Sequence, residues 1–164
     1  MTNRLGVLRR LASEVGQHRY ESHRFFPAFA DRLVLELSEY LGDPGCVALC
    51  CASGEFSFGR AGYGYDGLRI ENGIYRVPVM LRLASVTPQS DLLLRVRLFF
   101  TRIDEVRLTC QIEDSPPFDF VQGDLTKLKD RVFRYLSMCL QTTTWFAEHP
   151  DHFMVVPGKN LDGA

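Results

Sequence analysis

The chain has 164 residues, 46% of them hydrophobic, and its 19 Lys and Arg against 20 Asp and Glu give a formal net charge of −1. This length suits one domain with a real apolar core, and the near-neutral charge argues against a globally basic nucleic-acid binder. No apolar run approaches the ~18 residues of a membrane span, and no apolar leader follows Met1, so the sequence predicts a cytosolic protein without a membrane partner.

Two helices are predicted at the N-terminus. Residues 4–16 place apolar side chains at spacings of three and four residues, opposite Arg and Glu side chains. The apolar positions are Leu5, Leu8, Leu11 and Val15. Residues 17–24 are polar and are interpreted as a linker. A second apolar stripe predicts another helix from about Pro27 to Leu41, with Pro27 in its first turn.

A buried first strand is predicted within residues 46–53, which are nearly all apolar and bounded by turn residues. Residues 54–67 then combine glycines with aromatic side chains. The aromatic residues of this loop are Phe56, Phe58, Tyr63 and Tyr65. Because a hairpin follows and not a helix, a phosphate-binding loop is disfavoured, and the rings are expected to pack on the sheet or on a partner.

Residues 66–114 have a consistent two-residue period and predict four strands of an antiparallel meander. Asn72-Gly73 is the signature of a tight hairpin turn with positive φ. With these two residues in the loop, Arg69 faces Arg76 and the neighbouring apolar residues share one face. The side chains expected to be buried together, with two from the C-terminal helix, are Val79, Leu81, Leu94, Val96, Leu98, Leu108, Val132 and Leu136.

The opposite face of the predicted sheet is basic. Its arginines are Arg69, Arg76, Arg82, Arg95, Arg97 and Arg107. Arg102 and Val106 can share a face only if the loop between them is residues 103–105 or another odd length. The three-residue loop would place Arg95 opposite Glu113. Pro78 removes one ladder donor, so an irregularity is expected there, or a nitrogen that faces outward on an edge.

A long C-terminal helix is predicted to cover one face of the sheet. Gly123-Asp124 supplies its N-cap, and Pro150 ends it after about 24 residues. The buried stripe is expected at Leu125, Leu128, Val132, Leu136, Cys139, Leu140 and Thr143. The fold class is therefore α+β, with two N-terminal helices, a meander sheet of about five to six strands and one long helix. Residues 1–150 form a single domain in this interpretation, and residues 151–164 form a tail.

No motif in the sequence indicates a specific chemical reaction. The five cysteines have no Cys-x-x-Cys spacing, which suits neither a disulfide framework nor a zinc site. Cys50-Cys51 lies in an apolar strand, where burial blunts thiol reactivity, and His149-Pro-Asp-His152 lacks the converging ligands of a metal site. We therefore predict structural thiols, no metal and no cofactor, and a catalytic function is disfavoured.

Two functional hypotheses follow. The first is a non-catalytic, adaptor-like or chaperone-like protein-interaction module with an acidic protein partner or a second copy of itself; nucleic acid is disfavoured. Its binding residues would be Arg69, Arg76, Arg82, Arg95, Arg97, Phe56, Phe58, Tyr63 and Tyr65. The alternative is a binder of, or an enzyme for, a small anionic ligand held between the sheet and the C-terminal helix.

Overall fold

A single helix, α1 (Arg4–Tyr40), occupies the region where two helices and a linker were predicted. The computed structural model describes residues 3–49, 69–71, 73–87, 89–142, 145–150 and 153–157. The predicted linker is wrong because its polar side chains are compatible with a helix: Gln17 donates a 3.0 Å hydrogen bond to Glu21, one turn later. Pro27 lies inside α1, and Gly42, with a φ of 80°, follows its end.

The described residues form one antiparallel sheet of seven strands. Each of its two long strands pairs with the other along one side and with two shorter strands along the opposite side. The elements after α1 are β1 (Val47–Leu49), β2 (Arg69–Glu71), β3 (Ile74–Thr87), β4 (Ser90–Arg102), β5 (Arg107–Ile112), β6 (Phe118–Val121), α2 (Thr126–Gln141), α3 (Trp145–Glu148) and β7 (Phe153–Pro157). The sheet order is β1-β3-β4-β5-β6, with β2 also on β3 and β7 also on β4. The chain is thus an α+β protein, and the predicted strand count missed β6 and β7.

The hairpin between β2 and β3 confirms the register predicted from Asn72-Gly73. Arg69 pairs with Arg76, and Glu71 pairs with Ile74. Gly73 has a φ of 77°, which a residue with a Cβ adopts only with strain. The short-range turn signal was therefore sufficient to align these two strands.

Pro78 does not interrupt the pairing of β3 with β4, where it stands opposite Arg97 in continuous register. The expected irregularity is instead found between Leu83 and Thr87. Arg82, which has the same parity as Pro78, donates its backbone N–H outward to the carbonyl of Cys46 at 2.8 Å. The nitrogen of Pro78 therefore also faces away from β4. The predicted edge position is wrong, because β1 and β2 pair with this side of β3, and Pro78 lies between the segments that they pair with.

The C-terminal helix is shorter than predicted. α2 ends at Gln141, and Thr142 has extended backbone angles while its hydroxyl donates to the carbonyl of Met138 at 3.0 Å. Three consecutive threonines at 142–144 explain the early end, since β-branched residues disfavour helix. At the other end the N-cap is Leu125, which has no side-chain cap, so the predicted N-cap at Asp124 is wrong by one residue. Asp124 instead accepts the backbone N–H of Thr126 at 3.0 Å in a turn that precedes the helix. Residues 153–157 of the predicted tail form β7, which pairs with β4.

The core lies between one face of the sheet and the side-by-side helices α1 and α2. The ring of Phe26 stacks on Tyr75 with 3.7 Å between centroids, and Tyr40 donates a 2.5 Å hydrogen bond from α1 to Asp130 of α2. The prediction of a common core is confirmed for Val79, Leu81, Leu94, Val96, Leu98, Leu108, Val132 and Leu136. Leu140, predicted to be buried, is 42% exposed, since it lies in the last turn of α2, which ends at Gln141.

Candidate interaction surfaces

Five of the predicted basic arginines, Arg76, Arg82, Arg95, Arg97 and Arg107, do share the sheet face opposite the core, but several of them already contact carboxylates. Arg82 contacts Asp91 at 2.6 Å, and the side chains are 19% and 3% exposed. At the sheet end, the guanidinium of Arg107 lies 2.9 Å from Asp104. These pairs lower the positive charge that the basic face can offer to an acidic partner.

The basic face also buries apolar side chains. Ala48, Met80 and Leu93 are buried although they lie outside the core cluster, and the pairing of Ala48 with Met80 places them next to the arginines. The face is therefore partly covered around these residues. Two further arginines, Arg76 and Arg95, are half-buried.

Arg69 and Arg76 stand directly opposite each other, as predicted. Like charges in this position are destabilising unless another group neutralises them. Arg95 differs from them in that its Nε is buried and has no hydrogen-bond partner among the described residues. Among the predicted binding arginines whose side chains the structure describes, which do not include Arg69, only Arg76 and Arg95 have no ion pair to a described carboxylate.

Glu113 contacts Arg97, and the predicted pairing with Arg95 is wrong. The carboxylate accepts the backbone N–H of Arg97 at 2.6 Å and its Nε at 3.0 Å. The register between β4 and β5 is shifted by two residues from the three-residue loop, because Arg102 pairs with Leu108. Asp104 stabilises the longer loop by accepting the backbone N–H groups of Val106 and Arg107.

A small cavity opens beside β4, in the gap between the end of β5 and the start of β7. Its volume is about 230 Å³, below the ~300–1,000 Å³ of usual ligand sites. The lining residues are Arg97, Phe99, Glu113, Asp114, Tyr135 and His149. Burial, with the neighbouring Cys139 and Glu113, raises the pKa of the Tyr135 hydroxyl, so that this group remains a protonated hydrogen-bond donor.

A wider hollow of about 410 Å³ lies on the other side of Phe99 on the same face. It also borders Glu113, and its remaining lining is mostly uncharged: Ile74, Thr101, Thr109, Gln111 and Pro117. The two hollows make this end of the sheet concave. Arg97 is the arginine in their lining, and Glu113 already contacts it.

Several predicted residues lie outside the described part of the chain. They are Phe56, Phe58, Tyr63, Tyr65, Cys50, Cys51 and His152. The described thiols, Cys46, Cys110 and Cys139, are buried, and burial raises the pKa of each. Across the described ranges, no group of three or more His, Cys, Asp or Glu side chains is arranged to hold a metal ion.

The apolar side of the helix predicted for residues 4–16 is exposed in the structure. Four side chains along the first half of α1 form what we call the N-terminal stripe: Leu5, Leu8, Leu11 and Val15. They are 57%, 63%, 45% and 65% exposed. The first buried position of α1 is Ser22, so about five turns of helix project beyond the body of the protein.

The projecting part of α1 is fixed to the body at its base. Glu21 lies 3.7 Å from Arg102 at the end of β4, and the guanidinium of Arg102 lies over the ring of Phe25, 5.4 Å from its centroid. His23 meets Tyr75 edge to face. The helix thus leaves the sheet from a packed, polar anchor, and the N-terminal stripe begins one to two turns beyond it.

No helix among the described residues is long and apolar enough to cross a membrane. No protein-family model, curated protein or solved structure matches this chain. Its function has to be inferred from its own surfaces, because a fold class alone assigns none.

Proposed function

We propose that this chain is a non-catalytic protein-interaction module that binds its partner through the N-terminal stripe. The observation that carries this function is the exposure of Leu5, Leu8, Leu11 and Val15 on one side of a projecting helix. Contiguous apolar surface of this kind marks interaction sites in soluble proteins. An amphipathic helix that offers anchors at spacings of three and four residues is also a common recognition element.

The basic face supports the same function less strongly. Arg82, Arg97 and Arg107 contact Asp91, Glu113 and Asp104, which leaves Arg76 and Arg95 to attract an acidic partner. Charges at the rim of an interface affect the rate of encounter more than the final affinity. We therefore assign them a secondary, steering role in partner binding.

Photo-crosslinking in cells that express the chain tests this function. A photoreactive amino acid at Leu8 should give a crosslinked protein product, and the same group at Ser13, on the opposite side of α1, should not. Equal products from both positions, or none from Leu8, would contradict a binding role for the stripe. When the crosslinking is repeated in a lysate of these cells, Arg76→Glu in the Leu8-labelled chain should reduce the yield at low salt more than at high salt, since salt screens charges at the surface.

A small ligand is the second candidate, favoured by the convergence of Arg97, Tyr135 and His149 around one cavity. An anion would have to compete with Glu113 for the guanidinium of Arg97. In Glu113→Gln the competing charge is removed, so phosphate or a small carboxylate should raise the melting temperature of this variant more than that of the wild type. Equal shifts would argue against an anion site at Arg97.

A further inference from the structure

Three side chains of the N-terminal stripe lie on the same side of α1 as three core side chains that follow five helical turns later. The members of each pair are 18 residues apart, which is about five turns of ~3.6 residues. The pairs are Leu8 with Phe26, Leu11 with Phe29, and Val15 with Leu33. Because the later set faces the sheet and is buried, the earlier set faces the same layer at a point beyond the end of the sheet.

This part of α1 lacks the packing that usually stabilises a helix. Residues 4–21 are almost all exposed, and isolated helices of about this length are marginal in water. Most helical stability in proteins comes from packing an apolar face against another element. The N-terminal stripe therefore requires a cover in the layer that the sheet occupies farther along α1.

We propose that residues 4–15 of a second copy of the chain, running antiparallel, supply this cover. The inference rests on the proposed function and names its partner. Aligned so that Leu8 of each copy meets Leu11 of the other, the two helices also bring Leu5 to within one residue of the level of Val15 at both ends. The apolar side chains of the stripe then cover one another, as in the seam of a coiled coil.

Charge complementarity favours the antiparallel register. In this alignment Arg4 of one copy lies beside Glu14 of the other, and the two-fold symmetry repeats the pair at the opposite end. Arg9, Arg10 and Ser13 point away from the seam, since they lie on the opposite side of α1 from Leu8 and Leu11. An antiparallel arrangement also places the two sheets at opposite ends of the helix pair, so that neither blocks the other.

The oligomeric state of the purified full chain is the first test. Sedimentation or light scattering over a concentration series should give a mass approaching twice the 18.7 kDa of one chain. Leu8→Glu/Leu11→Glu should return the mass to that of a monomer. Ser13→Glu/Tyr20→Glu adds the same two charges on the other side of α1 and should remain dimeric. Circular dichroism should show all three proteins folded.

Charge reversal tests the register. Arg4→Glu and Glu14→Arg should each raise the dimer dissociation constant about threefold to tenfold at low salt, as expected for two exposed ion pairs. The combined Arg4→Glu/Glu14→Arg variant restores opposite charges and should recover most of the lost affinity. Additive losses in the combined variant would overturn the antiparallel pairing.

The outcomes separate this inference from the proposed function. A wild-type chain that stays monomeric at every concentration, or a dimer that Leu8→Glu/Leu11→Glu leaves intact, overturns the second copy as the occupant. If the photoreactive group at Leu8 still captures a different protein in cells, the interaction function stands and its partner is heterologous. If Leu8 captures nothing and the chain is monomeric, both are wrong.

Discussion

Glu113 supplies both backbone hydrogen-bond partners of Arg97 at the point where β5 stops. Its N–H donates to the carbonyl of Arg97 at 3.0 Å, and its carboxylate accepts the N–H of Arg97 at 2.6 Å. The φ of Glu113 is 49°, a left-handed conformation that is unusual outside glycine. This conformation turns the chain away from β4, and the side chain takes the place that a strand carbonyl would have filled.

Replacing Glu113 should therefore destabilise the fold. Glu113→Ala leaves the N–H of Arg97 without its acceptor and should lower the free energy of unfolding by about 1–3 kcal/mol. Glu113→Gln retains an acceptor and should lose less. Urea unfolding of both variants, with Asp114→Ala as the exposed neighbouring control, measures the difference; equal losses for the Ala and Gln variants would contradict the acceptor role.

Asp104 should make the loop between β4 and β5 sensitive to acid. Hydrogen bonds from the backbone N–H groups of Val106 and Arg107, and then from the guanidinium of Arg107, lower the pKa of Asp104 to about 2. Since the unfolded value is about 3.9, its stabilisation is complete above about pH 4 and is lost as the pH falls through about 2. The stability difference between wild type and Asp104→Asn should shrink over that window. A difference that is constant from pH 6 to pH 2 would contradict this assignment.

Two leucines one turn apart on α2 should respond differently to the same substitution. Leu136 is 7% exposed and Leu140 is 42% exposed. Leu136→Ala removes core contacts and should cost about 2–5 kcal/mol, whereas Leu140→Ala should remain within about 0.5 kcal/mol. Chemical denaturation of the two variants measures both values. Comparable losses of stability would show that the buried side of α2 has been assigned incorrectly.

Removal of β7 should expose one edge of β4. A chain that ends at Pro150 loses the pairing of Ser90–Leu94 with residues 153–157. We expect a loss of about 2–5 kcal/mol, at about 1 kcal/mol per hydrogen bond, and increased aggregation through the open edge. A chain that ends at Pro157 is the matched control and should behave like the full chain. Equal melting temperatures for the two truncated chains would show that residues 1–150 suffice.

Much of the sheet followed from its two-residue period. The Asn72-Gly73 turn fixed the alignment of Arg69 with Arg76, and alternation assigned Leu98 to the core and Arg97 to the opposite face. Parity does not distinguish loops that differ by two residues, however. With the longer loop that Asp104 stabilises, Glu113 lies opposite Arg97 and not Arg95. The side chains of β5 nevertheless stay on the predicted faces of the sheet.

The N-terminal stripe could not be interpreted correctly from periodicity alone. Leu5, Leu8, Leu11 and Val15 predict an amphipathic helix, and an amphipathic helix indicates that something covers its apolar side. The pattern does not say whether the cover comes from the same chain. Only the continuity of α1 through residues 17–24 shows that these side chains extend past the sheet.

The pairing of β7 with β4 also affects the order in which the chain can fold during synthesis. Ribosomes release α1 first and β7 last among the described elements, so Ser90–Leu94 emerge long before the residues that pair with them. Until residue 157 has been made, one side of this segment of β4 carries unpaired backbone groups. Nascent chains therefore pass through a stage in which Ser90–Leu94 have no strand partner on this side, and an open strand edge of this kind favours aggregation.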